Sequence, residues 1–510
     1  MDARLEEIKA ILKKYGQEHL LNHYDKLDDV HKQKLLEEIE NIDFELVDSL
    51  YRSTEKKEKS TKDEITPIDY LDKYKLNEKY KYYENIGKKA IKEGKLAAVT
   101  MAGGQGTRLG HNGPKGTYDI GLNSHKSLFE LLCDRLKEEG KKYGVTIPWF
   151  LDWGRDTLIA FEGLLLVTKR FKIAKEVLKT MIRDIKFGLV PNGYSGYDNR
   201  PLYNSVDASL LLFEAVQKYI NYTGDYQFIK EEIYKKLEDI IESYIKGIDV
   251  DNNNIYLDDD DLIVSGTQDT QNTWMDAKYD GVAITPRSGK AVEVNSLWYN
   301  ANKIMADLSK KFGHSQNAKK YKLIAEKCKK SFNDKFYNKR RKCLYDVLGD
   351  SKIRPNQLFA LSLTYPVIEA DSEEAKNIIS VVEKKLLNAY GLKTLAKGEE
   401  NYVEVYEGDG KKRDSSYHQG ITWPWLLGLY YNALKNILKK TKKKDAKKEL
   451  ETKLEKFIEK TSKTFQKEIS HNGCIGSISE LYDSRKPYLP KGTIAQAWSV
   501  AEVFRIILNK

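Results

Sequence analysis

The sequence predicts a mainly α-helical protein, a helical toroid preceded by a small α/β segment. Long amphipathic segments follow one another after Pro148 with almost no strand signal. The loops between alternate segments are long and hold Trp, Gly, Asp and Asn residues. Helix pairs with elaborated loops at one end favour a toroid with its site at that end. An α-solenoid scaffold is the alternative, but the chain has no fixed-period repeat.

Length and composition describe a large, multidomain protein. The 510 residues are enough for two or three domains, and 40% of them are hydrophobic. The 86 basic and 76 acidic residues are interleaved, which indicates a solvated surface and not a nucleic-acid site. The chain has no apolar run of ~18 residues, so we expect no membrane span. Its four Cys have no metal-ligand spacing, which is typical of reduced thiols and favours a cytoplasmic location.

The N-terminal region combines helices with one strand. Apolar residues recur with helical periodicity over residues 1–52, and the polar stretch 53–65 is predicted to be a linker. The run "KLAAVTMAGG", from Lys95, predicts a buried strand that leads into a Gly-rich loop at 101–116. An amphipathic helix is expected at 126–143. Strand, loop and helix in this order are typical of a phosphate site.

The Gly-rich loop "MAGGQGTRLGHNGPKG" has the residues that phosphate binding requires. Its glycines allow the backbone N–H groups to approach a phosphate, and its cations neutralise the charge. A tight glycine turn used only as a structural device is the alternative. The candidate phosphate-binding residues are Gly103, Gly104, Gly106, Thr107, Arg108 and Lys115.

Eleven amphipathic helices are predicted after Pro148 from their hydrophobic periodicity. They are expected at about 156–168, 171–188, 204–222, 226–246, 291–313, 316–336, 355–366, 371–388, 418–436, 444–469 and 493–509.

The loops between these helices share one chemistry. Of nine polar loop strings, all but "IRPNQLFALS" pair Trp or Tyr with an acidic, amide or Arg residue, among them "IPWFLDWGRDT", "QNTWMDAK" and "GSISELYD". Aromatic faces stack on sugar rings, and charged groups hydrogen bond to vicinal hydroxyls. A single pair of this kind is usually core packing, but a set of such loops at one end of a toroid predicts a carbohydrate site.

Residues 1–147 resemble the UDP-sugar pyrophosphorylases. The resemblance is carried by "AGGQGTRLG", "PKG" and "KSLFEL", with "YDKLDD" at Tyr24–Asp29. It implies a truncated nucleotidyltransferase-like fragment whose loop held the triphosphate of UTP. The further strands, metal-binding carboxylates and sugar-phosphate site of such a fold do not follow. Mg²⁺ is expected only if a nucleotidyltransferase activity exists.

The sequence from about Ile147 to the end resembles the C-terminal amylo-α-1,6-glucosidase domain of glycogen debranching enzymes. The Trp-rich loop strings occur in the family's order. The resemblance implies an (α/α)6 toroid at 148–510, related to the glucoamylases. Such a toroid has twelve helices and eleven are predicted, so either helix 126–143 takes the vacant place or a gap remains.

The resemblance also assigns the two carboxyl groups that glycoside hydrolysis needs. Asp276 in "NTWMDAK" matches the general acid, and Trp274 and Met275 beside it are expected to raise its pKa. Glu480 in "GSISELYD" matches the general base. The family inverts configuration, which implies carboxyls ~6.5–9.5 Å apart. A helix cap for Asp276 and a loop salt bridge for Glu480 are the alternatives.

Substrate-binding residues follow from the same match. Arg155 and Asp156 match the pair that grips the 4- and 6-hydroxyls of the terminal glucose, although a buried ion pair is also possible for them. Arg354 and Asn356 are either hydroxyl partners or supports of a loop, and His418 is either a sugar contact or a core histidine. The remaining candidates for the pocket wall are Trp153, Trp274, Gln419, Trp423 and Trp498.

The sequence therefore predicts a glucosidase that acts on α-1,6-linked glucose at branch stubs of glycogen or a similar branched α-glucan. No metal or other cofactor is expected for that activity. A UDP-sugar pyrophosphorylase and a non-catalytic glucan-binding protein are the alternatives.

Overall fold

The fold of the chain is taken from a computed structural model. It describes residues 2–55, 78–92, 153–194, 200–473 and 476–508, with isolated residues between 121 and 138. The described residues fall into two compact units, one up to residue 92 and one from residue 121 onward. No helix among them is long and apolar enough to cross a membrane.

The first unit is helical. Its helices are α1 (Asp2–Tyr15), α2 (Asp29–Glu40), α3 (Phe44–Glu55) and α4 (Glu78–Lys92), with short 3₁₀ turns at Glu18–Leu21 and Tyr24–Lys26. Ile8 and Leu12 of α1 pack with Leu36 and Ile39 of α2, because each pair lies on one helix face. The first three residues of the predicted linker 53–65 thus belong to α3.

The second unit is also mainly helical, which confirms the predicted character of the chain. Its helices are α5 (Gly154–Phe161), α6 (Phe171–Arg183), α7 (Ala208–Thr223), α8 (Tyr234–Lys246), α9 (Val292–Phe312), α10 (Ser315–Lys335), α11 (Phe359–Ser362), α12 (Glu373–Lys385), α13 (Gly410–Ser416), α14 (Leu426–Lys440), α15 (Lys444–His471) and α16 (Ala497–Leu508). A π-helical turn, Glu162–Leu166, extends α5, and helical turns at Tyr226–Phe228 and Ile229–Ile233 lead into α8. A 3₁₀ turn, Pro355–Leu358, precedes α11.

Six helices of this unit pack in a closed sequence. Contacts run from α5 to α7, α9, α11, α14 and α16 in turn, and α16 packs back against α5. Helix α9 is buried on nearly all sides, as its apolar and small residues require. Helix α10 instead buries a single stripe, Tyr321, Ala325, Cys328 and Phe332, against α9. The all-round and one-sided apolar patterns thus separate inner from outer helices.

The strands are short. They are β1 (Gly193–Tyr194), β2 (Pro201–Leu202), β3 (Tyr256–Leu257), β4 (Ile263–Val264), β5 (Lys278–Tyr279), β6 (Val282–Ala283), β7 (Tyr337–Asn338), β8 (Cys343–Leu344), β9 (Leu392–Lys393), β10 (Thr422–Trp423), β11 (Leu481–Tyr482) and β12 (Pro490–Lys491). The last four form one antiparallel sheet in the order β12-β11-β10-β9. This sheet fixes the loops that come before and after it.

Each of the eleven segments predicted after Pro148 contains a helix. The largest boundary error is in the segment expected to begin at 418, which begins as a helix only at Leu426. Gly420 has a φ of 127° and Pro424 follows, so the chain crosses the sheet as β10 before it can become helical.

The predicted strand and Gly-rich loop at 95–116 lie outside the described residues. Most of the predicted helix 126–143 does as well, although the described residues at 130–132, 134–135 and 138 are helical.

Candidate active site

A cavity of about 740 Å³ lies among the loops of the second unit. Its wall is formed by the start of α5, the loop before β5, the loop between α13 and β10, the start of β11 and the segment that leads into α16. These segments are distant in sequence, so only the packed helices and the four-stranded sheet bring them together. Nine of the predicted site residues line the cavity: Trp153, Arg155, Asp156, Trp274, Asp276, His418, Trp423, Glu480 and Trp498.

Aromatic rings form one wall of the cavity. Trp274 meets His418 and Trp423 edge-on, with ring centroids 5.3 and 5.7 Å away. Trp498 lies edge-on to Trp423 at 5.8 Å. Because these rings are almost fully buried among one another, they form a rigid apolar surface of the kind on which a sugar ring stacks.

Asp276 is held by Arg155. The Arg155 Nη1 donates to Asp276 Oδ2 at 2.8 Å, and the same guanidinium pairs with the buried Asp207 at 2.9 Å. Burial raises the pKa of Asp276, and the opposing effect of Arg155 does not cancel it. About a third of the Asp276 side chain, 34%, stays exposed to the cavity. This carboxyl can therefore hold a proton and present it to a ligand.

Asp156 is the second carboxyl on this side of the cavity. Its Oδ1 accepts a hydrogen bond from Gln496 Nε2 at 3.1 Å. Burial raises the pKa of Asp156 to about 7; Arg155 opposes the rise, and Asp276 and Glu480 add to it. Near neutral pH, Asp156 can thus either donate or accept a hydrogen bond.

Glu480 lies directly before β11 and is fixed by three donors. Tyr417 Oη donates to Glu480 Oε1. The Thr493 N–H donates to Oε2 at 2.9 Å, and the Thr493 hydroxyl donates at 3.2 Å. Gly492 permits this approach, since a Cβ there would lie 2.4 Å from Glu480 Oε2. The result is an oriented, buried carboxylate that faces the cavity.

His418 lines the cavity, and its ring packs against Trp274 and Trp423. Both ring nitrogens are buried and without a hydrogen bond to any described residue. Burial, aided by Arg354 and Arg155, lowers the pKa of His418 well below its usual value. A neutral imidazole with an unused donor and acceptor can serve a ligand hydroxyl.

Arg354, Asn356 and Gln419 are not part of the cavity wall. Asn356 Oδ1 accepts from Trp274 Nε1 at 2.7 Å. Arg354 donates to the His418 carbonyl oxygen at 2.7 Å and to Gln419 Oε1 at 2.9 Å. These buried residues therefore support the aromatic wall from behind. For Arg354 and Asn356, the sequence left two roles open, hydroxyl partner or support of a loop, and these contacts favour support.

Three residues of the site were absent from the sequence prediction. Tyr417, Thr493 and Asp207 touch the carboxyls or Arg155. Tyr417 precedes His418, and Asp207 lies in the string "YNSVDAS". Both are therefore in loops that the pairing of aromatic with polar residues marks in the sequence. No sequence feature distinguishes Thr493.

The described residues do not support a metal site, and they do not include the candidate phosphate site. Within the described part of the chain, no group of three or more His, Cys, Asp or Glu residues could hold a metal ion. The candidate phosphate-binding residues Gly103, Gly104, Gly106, Thr107, Arg108 and Lys115 all lie outside the described residues.

Comparison with known proteins gives two separate matches along the chain. A family described as UTP–glucose-1-phosphate uridylyltransferase matches residues 43–157. The UDP-N-acetylglucosamine pyrophosphorylase of Saccharomyces cerevisiae is 36% identical over a region that covers 32% of this chain and 35% of that protein. The UDP-N-acetylglucosamine diphosphorylase 2 of Arabidopsis thaliana is 35% identical, over 28% of this chain and 31% of its own length.

The other match covers the helical part. The glycogen debranching enzyme of Saccharomyces cerevisiae is 26% identical over 55% of this chain and 24% of that protein. A solved rhamnosidase of family GH78 from Bacillus sp. GL1 is 14% identical, covers 69% of this chain and 31% of that chain, and superposes with a TM-score of 0.45. The chain thus spans between about a quarter and a third of the curated relatives it matches.

The match to a family model covers a larger share of this chain than the matches to the curated relatives do. The family described as amylo-alpha-1,6-glucosidase matches residues 126–505, which is most of the chain and includes every residue that lines the cavity. This chain belongs to the amylo-α-1,6-glucosidase family.

Proposed function

We propose that the chain is a glycoside hydrolase that releases glucose from α-1,6 branch stubs of glycogen or starch-like glucans with inversion of configuration. The observation that carries the proposal is that Asp276 and Glu480 face one cavity with a wall of tryptophans. A protonated carboxyl and an oriented carboxylate are the two groups that the reaction needs. We assign no metal or other cofactor to it.

The fold proposed for residues 148–510 is the (α/α)6 toroid. The closed sequence α5, α7, α9, α11, α14 and α16 corresponds to its six inner helices. Helices α6, α8, α10, α12 and α15 correspond to five of the six outer ones. The vacant outer place precedes α5, and we assign it to residues 126–143. Residues 1–147 are proposed to derive from a truncated pyrophosphorylase.

The proposed reaction is a single displacement. Asp276 donates its proton to the glycosidic oxygen as the bond from that oxygen to C1 of the glucose breaks. Glu480 accepts a proton from a water molecule, whose oxygen attacks C1 from the opposite face. Both carboxyls are thus reversed in protonation after one turnover, and the glucose leaves as the β-anomer.

Four groups are proposed to hold the terminal glucose. Asp156 and His418 offer hydrogen bonds to hydroxyls, and Trp274 and Trp423 offer apolar faces. Arg155 already pairs with both Asp207 and Asp276, so its main proposed role is to orient the acid. A contact from Arg155 to a sugar hydroxyl would be additional to that role.

The proposal is tested by glucose release from 6-O-α-glucosyl cyclodextrin. The wild-type protein is expected to release glucose, and Asp276→Asn to lower kcat by at least ~100-fold, because the amide has no proton to donate at that oxygen. Asp259→Asn, a matched change at an exposed carboxyl outside the cavity, serves as the control. Full activity of Asp276→Asn would contradict the assignment of the acid.

A uridylyltransferase is the second candidate. It is supported by the family match at 43–157 and by relatives about 35% identical in that region. Exchange of labelled pyrophosphate into UTP with Mg²⁺ and a sugar phosphate tests it, with Lys115→Ala as the variant expected to abolish exchange. Retention of glucan without hydrolysis would instead indicate a binding protein.

A further inference from the structure

A second, polar cavity of about 790 Å³ adjoins the candidate active site. It is lined mainly by two loops, 249–254 and 267–272, and we call it the amide groove. Asn204 and Gln271 line both the amide groove and the active-site cavity, so the two cavities are neighbours there. The groove has no part in the reaction steps derived above.

The lining of the amide groove suits a neutral, hydroxyl-rich ligand. Of its described lining residues, most carry amide, hydroxyl or carboxylate groups and none is aromatic. These groups accept and donate hydrogen bonds without requiring a charge on the ligand. The three acidic residues, Asp249, Asp251 and Asp269, do not form a metal-binding cluster.

The loop 249–254 is held in place by its backbone. The Ile248 and Ile255 main chains pair at 2.7 and 2.8 Å, and the Gly266 N–H donates to Asn253 O at 2.7 Å. Asn252 and Asn254 have φ angles of 59° and 44°, which asparagine accepts more readily than most residues. Their side chains are exposed and make no hydrogen bond to another described residue. The loop is thus fixed by its backbone and by Asn253, which donates to Tyr203 O, while the carboxamides of Asn252 and Asn254 stay unused.

A buried carboxamide in the groove wall has an unpaired oxygen. Asn272 donates through Nδ2 to Asn253 O at 3.1 Å, which ties it to the loop 249–254. Its Oδ1 is buried and accepts no hydrogen bond from any described residue. A buried, unpaired carbonyl oxygen costs free energy, so the wall of the groove holds one acceptor that is not satisfied within the described part of the chain.

The position of the amide groove relative to Asp276 indicates which part of a substrate would reach the groove. Asp276 is the proposed proton donor to the leaving oxygen, so the leaving chain lies on its side of the cavity. Gln271 stands five residues before Asp276, and Lys278 stands two residues after it; both line the groove. The amide groove therefore begins where the leaving group departs.

We infer that the amide groove binds the glucan chain that carries the α-1,6-linked glucose, through hydrogen bonds to its hydroxyls. The inference rests on the proposed function. A deep aromatic cavity for the single glucose and an adjacent polar groove for the chain would together select a branch stub over a free linear end.

The test compares a long and a short substrate in the double variant Asn252→Gly/Asn254→Gly. Glycine removes both carboxamides and accepts the left-handed backbone without strain. We expect kcat/KM for a dextrin with one α-1,6-linked glucose to fall at least tenfold relative to that for α-glucosyl fluoride, mainly through KM. Asn401→Gly is the matched control, since Asn401 is exposed, has a φ of 66° and lines neither cavity.

The outcomes distinguish a failure of the inference about the amide groove from a failure of the proposed function. An unchanged ratio of the two kcat/KM values in the double variant would overturn the inference. If the wild-type protein hydrolyses neither substrate, the proposed function fails, and titration with maltoheptaose decides on the groove. At least fivefold weaker binding by the double variant would support the inference, whereas equal binding, or none by the wild-type protein, would overturn it.

Discussion

At the scale of single residues, Tyr417 has the most specific position. It donates to one oxygen of Glu480, while Thr493 donates twice to the other. A hydrogen bond to a charged group contributes about 1.5–3 kcal/mol, and donors favour the ionised carboxylate. Tyr417 is thus a positioning residue for the proposed base.

Tyr417→Phe is therefore expected to lower kcat/KM by about ten- to a hundredfold while the protein keeps its fold. The loss should fall on kcat and leave KM nearly unchanged, because the carboxylate loses a donor that orients it. A purely structural role would change both kinetic constants. Tyr406→Phe, a change in the ring next to Tyr417, is the comparison variant.

Asp156 links the site to the stability of the fold. Its folded-state pKa of about 7 lies above the ordinary value for aspartate, so the folded state binds more protons than the unfolded state between pH ~4 and 7. The free energy of unfolding contributed by Asp156 therefore falls as pH rises through this window.

Asp156→Asn is expected to remove that decline. Urea unfolding at pH 4.5 and pH 8 should show the variant gaining stability relative to the wild-type protein at the higher pH. Asp259→Asn should keep the wild-type dependence, because it changes an exposed carboxyl. An identical pH dependence for Asp156→Asn and the wild-type protein would contradict the raised pKa.

At the scale of elements, the sequence predicts where helices form better than it predicts which elements pack against one another. The apolar stripe of α10 is visible in the sequence, but the pairing of Arg155 with Asp207 is not, because 52 positions separate them and only packing joins α5 to α7. Helix α13 was missed since its residues, "GKKRDSS", carry no apolar stripe. The two-residue strands are too short for an alternating pattern to appear.

The contact between α16 and the turn that follows α5 depends on one glycine. Gly163 lies in the turn after α5, and a Cβ there would be 2.1 Å from the Ala501 carbonyl oxygen of α16. The obstacle is backbone, so it cannot be relieved by a change of rotamer. The closest approach of the two helices thus requires a residue without a side chain.

Gly163→Ala is expected to lower the free energy of unfolding by about 1–3 kcal/mol, because the helices must separate. Chemical denaturation followed by circular dichroism measures the change. Gly410→Ala is the matched control, since the nearest atom to its Cβ would lie at 3.9 Å. Equal stabilities of the two variants would mean that α5 and α16 do not meet as described.

At the scale of the whole molecule, the two family matches overlap at residues 126–157. The family match starts at residue 126, within the region that also matches the uridylyltransferase family. Eleven helices are predicted after Pro148, which is one fewer than the twelve of an (α/α)6 toroid. Residues 126–143 are the proposed occupant of that place.

A chain of residues 126–510 is therefore expected to melt at least several degrees higher than one of residues 148–510. The shorter chain should also bind more of a hydrophobic dye, because an unfilled outer place exposes the apolar sides of the neighbouring helices. Equal melting temperatures with sharp cooperative transitions in both would show that the vacancy does not matter.

The sequence marks candidate site residues for a physical reason. Trp274, Asp276 and Glu480 lie in loops whose polar and aromatic composition has no simple explanation in helix packing. The direction of a single side chain is not visible in such a pattern: Gln419 is a predicted wall residue, but its side chain accepts a hydrogen bond from Arg354 behind the wall.

Asp276 and Glu480 are proposed to act as acid and base on an α-1,6-linked glucose. Proton NMR of the first glucose released from 6-O-α-glucosyl cyclodextrin by the wild-type protein tests whether they do so by a single displacement. That displacement predicts that β-glucose forms first and mutarotates afterwards. Release of α-glucose first, or no release at all, would contradict these roles.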